Sequence, residues 1–145
     1  MQIKDVMSRD VEIVAPDTPV RDAACRMRDL DTGFLPVGEN DRLVGMITDR
    51  DIAVRAVAEG KDIKSTCVRD AMTDDVIYCF EDQETDDAAK LMSDRQIRRL
   101  PILNRQKRLV GVVSVGDLAR VAGARIASQA MQGIAQPTHH EPGRA

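Results

Sequence analysis

The chain holds 145 residues, with 21 Lys and Arg against 24 Asp and Glu, a net charge of −3 and a pI near 5.4. That balance argues against a protein that neutralises nucleic-acid phosphates with a basic face. Apolar residues make up 43% but aromatics only 2%, with no Trp, so aliphatic side chains and Met must fill the core and few rings are left to stack on unpaired bases.

Three cysteines, Cys25, Cys67 and Cys79, form no C-x-x-C pair and no metal-ligand spacing. They read as structural thiols in a reducing compartment. No stretch approaches the roughly 18 apolar residues needed to span a bilayer. The N-terminus carries no signal-peptide apolar run, so a cytoplasmic location is expected.

The chain is written twice. Residues 4–37 match residues 69–102 at an offset of 65, with twelve identities, among them Met7/Met72, Met27/Met92 and Leu35-Pro36/Leu100-Pro101. One inserted residue in the turn moves the offset to 66, and residues 42–53 match 108–119; Arg42-Leu43-Val44-Gly45 returns as Arg108-Leu109-Val110-Gly111. A short strand is expected at Val11–Val14, and again at Val76–Cys79. A helix follows, with Asp17 or Thr18 as N-cap, Pro19 in the first turn, and an apolar stripe through Val20, Ala23, Ala24 and Met27. Its counterpart carries Ala88, Ala89, Leu91 and Met92. A second strand runs Phe34–Val37 or Leu100–Leu103, then a polar turn, then a third strand at Leu43–Ile47 or Leu109–Val113. A second helix opens at Thr48/Asp51 or Ser114/Asp117.

The predicted organisation is therefore a first β-α-β-β-α repeat over 1–60, a connector over 61–67, a second repeat over 68–125, and a helical end with a mobile tail over 126–145. A unit of about 50 residues is small for an independent core. The expected class is α/β (α+β), with two repeats packed sheet to sheet about a pseudo-two-fold axis. Pattern fades after Ile126, and His139 and His140 fall in the polar tail.

Thr48 and Asp51 lie three apart where a strand yields to a helix. Free N–H groups and the positive dipole end favour an anion there, and a carboxylate one turn on accepts two hydrogen bonds from a ribose diol. The same two residue types also make a plain capping box. One occurrence favours the cap, and the pair recurs at Ser114 and Asp117. Arg98 and Arg99 are adjacent, so at most one aims at any given pocket. Copy one has uncharged Gly33-Phe34 in their place, while Arg50 supplies a cation where copy two has Gly116. The two potential sites are not equivalent.

These motifs, in this order and doubled, resemble the cystathionine-β-synthase (CBS) domain: a Met near the start, an L-P strand, the R-L-V-G strand entry, and a closing Gly45-Met46-Ile47-Thr48-Asp49-Arg50-Asp51, repeated as Gly111–Asp117. The similarity spans about residues 3–122. With Thr48–Ile52 followed by Arg98-Arg99-Leu100-Pro101, the whole chain is similar to stand-alone bacterial CBS pairs of the hypoxic-response type.

The resemblance implies a non-catalytic regulatory module that binds an adenine nucleotide in clefts between the repeats: AMP or ATP first, with ADP, NAD and S-adenosylmethionine as further members. No cofactor is required. It implies a ligand set of Thr48, Arg50, Asp51, Arg98, Arg99, Ser114 and Asp117 for phosphate and ribose. Val11, Ile13, Gly33, Phe34, Val76 and Tyr78 would lie beside the base. It also implies a homodimer and a downstream protein partner, with neither nucleic acid nor membrane. A ligand-independent dimeric scaffold is the competing reading. An enzyme is disfavoured, because the only histidines lie in the tail and no nucleophile–base pair or metal cluster emerges.

Overall fold

The computed structural model describes residues 1–136, so the tail histidines and the expected tail mobility lie outside the described residues. In chain order the elements are α1 (Val20–Leu30), β1 (Phe34–Glu39), β2 (Arg42–Thr48), α2 (Asp49–Ile52), β3 (Cys79–Phe80), α3 (Thr85–Arg95), β4 (Arg99–Leu103), β5 (Leu109–Ser114), α4 (Val115–Asp117) and α5 (Ala124–Ile134). Each short helix, α2 and α4, runs straight into a π-helical turn, Ala53–Val57 and Leu118–Ala122. The mixed helix-and-strand class matches expectation.

Contacts divide the chain into two compact units that do not coincide with the sequence repeats. One holds Met1–Arg9, Tyr78–Asn104 and the described residues from Val110 on; the other holds Asp10–Ile77 with Arg105–Leu109. The opening segment of each repeat thus belongs to the unit built on the other repeat.

In the second unit, Val20, Ala23 and Met27 of α1 face Leu35, Val37 and Ile47, with Val68 and Ala71 from the entry of repeat two completing the core. β1 and β2 form an antiparallel hairpin in which Phe34 faces Thr48 and Glu39 faces Arg42, with an irregularity between Val37 and Gly38. Asn40 and Asp41 both have positive φ, 54° and 63°. Such a two-residue turn matches the strands' right-handed twist, and short polar side chains tolerate it. The α1 C-terminus is closed by Asp31 at φ 54°, and α3 by Gln96 at φ 56°.

In the first unit, Ala88, Ala89 and Met92 of α3 are fully buried, as are Leu100, Ile102 and Val113 of the sheet. Ile3 and Val6 of the N-terminal segment are buried too. β3, β4 and β5 lie in that order, with β3 parallel to β4.

Two local expectations are corrected. The first strand is much shorter than predicted: only Val14 bridges, to Val37, and its counterpart is Cys79–Phe80. Val14 N–H donates to the Pro36 carbonyl, and the Val14 carbonyl accepts from Gly38 N–H. The next ladder bond toward Glu12 would need an N–H at residue 36, and proline has none. Pro101 imposes the same stop on copy two. Secondly, α1 starts at Val20 with Pro19 as N-cap; the Thr18 hydroxyl instead accepts from Ala15 N–H at 3.1 Å. α5 runs from Ala124 to Ile134, within the segment read as a helical end. Its buried face is Ile126, Ala127 and Ala130, and Gly133 sits so close to Ser93 of α3 that no side chain would fit. Small residues give a weak hydrophobic signal but a close helix crossing.

The two entry segments are held alike. Ser8 exchanges both backbone hydrogen bonds with Val112, each 2.9 Å, and Thr73 does so with Met46 at 2.8 and 2.9 Å. A Cβ at Gly111 would lie 2.8 Å from the Ser8 carbonyl oxygen and 2.7 Å from Met7 Sδ; at Gly45 it would lie 2.9 Å from the Thr73 carbonyl and 2.7 Å from Met72 Sδ. Backbone blocks the space, so the strand pair must part. Gly111→Ala and Gly45→Ala are each expected to cost about 1–3 kcal/mol in urea unfolding, the range for overpacking a tight interior.

Cys79 is 2% exposed on β3. Burial first, and the Asp87 carboxylate second, push its thiol up to about 11 from 9.0. Its folded value exceeds its unfolded one, so its contribution to stability is complete below pH 9 and is lost as pH rises towards 11. Thermal midpoints of wild type and Cys79→Ala are therefore expected to converge between pH 9 and 11. A constant gap across that window would contradict the assignment.

Candidate functional site

The two helix starts have the same construction. β2 ends at Thr48, which faces Phe34 at the end of the hairpin. Thr48 Oγ1 accepts from Asp51 N–H at 3.1 Å, and Asp51 Oδ2 accepts from Thr48 N–H at 3.0 Å. In the first unit Ser114 Oγ accepts from Asp117 N–H at 3.0 Å and Asp117 Oδ2 from Ser114 N–H at 2.9 Å. Both are reciprocal capping boxes. The preceding loops are tied in the same way: Asp49 N–H donates to the Gly33 carbonyl at 2.9 Å, and Val115 N–H to that of Arg98 at 3.0 Å.

In the second unit the arrangement brings Gly33, Phe34, Thr48, Arg50 and Asp51 to one end of the hairpin. A Cβ at Gly33 would meet Asp49 Oδ2 at 2.7 Å, so the absence of a side chain lets the helix start approach the loop. Asp49 Oδ1 accepts from the backbone N–H of Arg50 at 2.8 Å, and the Arg50 side chain is left exposed. Ile13 is elsewhere. It packs on Gly38, four residues along β1 from Phe34, or about 13 Å at strand rise. It is 44% exposed rather than core. Val11 and Val76 are half-buried outside regular strand. In the first unit Arg98 and Arg99 are both exposed beside the Ser114 start, and half-buried Tyr78 meets Phe80 edge-on with ring centroids 5.5 Å apart.

The two carboxylates differ in what remains open. Asp51 Oδ1 has no partner among the described residues. Asp117 Oδ1 accepts from Arg120 at 2.6 Å; the Asp117 side chain is 13% exposed and that of Arg120 69%. The sequence reading missed Arg120, although its spacing of three from Asp117 was a usable signal; Val54 stands at the matching place in copy one. The π-helical turns behind both starts were also missed. Such turns are frequent at functional sites, and no composition cue announces them. Among the described residues no group of His, Cys, Asp and Glu could hold a metal ion, and no helix is long and apolar enough to cross a membrane.

Two β-α-β-β-α copies, each closing on a Ser/Thr–Asp helix start, define a tandem CBS pair. The CBS domain family model matches residues 3–57 and 68–123, and the chain belongs to that family. It is 42% identical over 117 residues to the CBS domain-containing protein YhcV of Bacillus subtilis, covering 81% of this chain and 82% of YhcV. It is 33% identical over 135 residues to hypoxic response protein 1 of Mycobacterium tuberculosis, covering 92% and 94%. Among solved structures, the CBS domain pair of MJ0100, in complex with 5′-methylthioadenosine and S-adenosyl-L-methionine, superposes with a TM-score of 0.75 at 29% identity, over 84% of this chain and 95% of that one. CBSX2 in complex with AMP gives 0.73 at 27%, over 83% and 95%.

Thr48→Ala and Ser114→Ala remove one cap each. Each is expected to lower the unfolding free energy by about 1 kcal/mol in urea denaturation. Loss much beyond that would mean the hydroxyls hold more than their helix.

Proposed function

We propose that this protein is a non-catalytic cytoplasmic sensor that binds an adenine nucleotide, AMP or ATP first, with its phosphate at a helix start and its ribose on the aspartate one turn on. The observation that carries the reading is the recurrence of the Thr48–Asp51 pair as Ser114–Asp117, each at a strand end with its carboxylate already fixed. A capping box leaves one carboxylate oxygen over. Asp51 Oδ1 is open to a diol, whereas Asp117 Oδ1 is answered by Arg120. A ribose on Asp117 therefore displaces an exposed guanidinium, which becomes available, with Arg98 and Arg99, to a phosphate. Gly33-Phe34, Arg50 and Val11 are proposed to flank a ligand in the second unit, and Tyr78 one in the first. Relatives solved with AMP and with S-adenosylmethionine support the ligand class.

A homodimer belongs to the same proposal. In the second unit Leu30, Val54, Val57 and Ile63 are 36–60% exposed, and Val57 and Ile63 line a groove of about 340 Å³ whose walls also include Ala24, Ile52 and two arginines, Arg21 and Arg28. In the first unit α5 packs on the corresponding face of α3, and Ala89 is fully buried where its counterpart Ala24 is not. That uncovered face also favours the second reading, a scaffold that dimerises without ligand.

The discriminating experiment is calorimetric titration of nucleotide-stripped protein with AMP, ATP, NAD and S-adenosylmethionine. Binding of at least one is expected, weakened about tenfold or more in Asp51→Ala or Asp117→Ala, the loss of a charge-assisted hydrogen bond. Silence towards all four ligands would leave the scaffold.

A further inference from the structure

The first unit has an ion pair at its helix start for which the second unit has no equivalent residue. Arg120, on the π-helical turn Leu118–Ala122, places a guanidinium nitrogen 2.6 Å from Asp117 Oδ1. The other oxygen of that carboxylate accepts from Ser114 N–H at 2.9 Å. The cation therefore stands one carboxyl group away from the strand end. Helical side chains lean towards the N-terminus, which is the direction of this reach. Asp117 is the only acidic residue between Val110 and Ile134, and among the described residues it is the one side-chain partner of Arg120. The Asp117 side chain is largely shielded from solvent, whereas that of Arg120 is exposed. The cap fixes the shielded half of the pair, and the exposed half is free to swing away. In the second unit Val54 takes the matching place, and Asp51 Oδ1 has no partner among the described residues.

We propose that Arg120 is a specificity-determining residue: it makes the Ser114–Asp117 start select phosphorylated adenine nucleotides over the unphosphorylated nucleoside, a selection that the Thr48–Asp51 start lacks. The inference rests on the nucleotide reading above and names the ligand class of each start. A ribose diol offers neutral O–H donors. On Asp117 it must replace a bond in which both partners are charged, the stronger kind, and it leaves a guanidinium without its anion. A nucleoside carries nothing to receive that cation. A nucleotide does, because a guanidinium fork matches phosphate oxygens two at a time, and the long exposed side chain leaves Oδ1 without leaving the start. One ion pair is exchanged for another, and the diol takes the vacated oxygen. On Asp51 the diol meets an oxygen that holds no cation. Arg50, exposed beside it, attracts a phosphate without first guarding the carboxylate, so it favours nucleotides but does not oppose nucleosides.

The test is a backbone-amide NMR titration of nucleotide-stripped protein with adenosine and, separately, ADP, at an ionic strength held constant with sodium chloride so that screening does not change. Amides of residues 48–51 and of residues 114–117 report the two starts separately. Arg120→Val installs the side chain that the first repeat carries. In that variant adenosine is expected to bind more tightly at 114–117 and ADP less tightly, so that the preference for ADP falls about tenfold or more there and is unchanged at 48–51. Arg120→Lys keeps the charge without the fork and is expected to fall between. Arg120 is exposed, so both variants are expected to fold, and the unperturbed remainder of each spectrum reports it. A merely structural role would weaken both ligands together. Equal loss of both, or an unchanged preference, would overturn the inference while nucleotide binding stands. Silence of both sets of amides towards both compounds would overturn the nucleotide reading, and this inference with it.

Discussion

Everything in this fold depends on a close backbone approach at two glycines. Gly45 on β2 and Gly111 on β5 stand where a Met-Thr and a Met-Ser segment, respectively, are pressed against the strand, with the carbonyl of Thr73 or Ser8 closer than any side chain allows. Two reciprocal hydrogen bonds per strand satisfy the polar groups that this approach buries. Each segment opens one repeat and completes the unit built on the other. A repeat of about 50 residues lacks the area for a stable core of its own. Here each core is finished by residues borrowed from the far side of the sequence: Val68 and Ala71 in one unit, Ile3 and Val6 in the other.

That economy shapes the helix starts. With the strands pinned, β2 and β5 end at fixed points, and the Thr–Asp and Ser–Asp pairs cap α2 and α4 in identical fashion. The cap settles the aspartate's rotamer by using one oxygen, and so fixes where the other one lies. Structural and functional readings of these residues are therefore one geometry viewed at two atoms. Duplication then diverges in the surroundings: Arg120 in place of Val54, Gly116 in place of Arg50, Arg98-Arg99 in place of Gly33-Phe34. Two copies with the same scaffold and different charges give the protein two unlike helix starts.

Much of this was legible in the residues. The offset of 65 exposed the duplication, Val20, Ala23 and Met27 marked the buried stripe of α1, and Thr48 with Asp51 announced a helix start. The failures have physical causes. Strand propensity at Val11–Val14 favours a longer β element, but Pro36 withholds the donor that the ladder needs, a signal present in the neighbouring strand. Ile13, grouped with the residues beside the base by its place before the first helix, packs on Gly38 near the hairpin turn. The exchange of entry segments leaves no periodic trace, since it depends on contacts between residues far apart in sequence. The π-helical turns likewise come from packing behind the caps.

The pairing of Ser8 with Val112 spans both repeats. During synthesis residues 1–9 leave the ribosome long before the strand they pair with exists, and contacts of such sequence separation slow folding. The protein therefore commits to its final state only after the second repeat has been made, and a message cut short after the first repeat yields a chain with its leading end untethered.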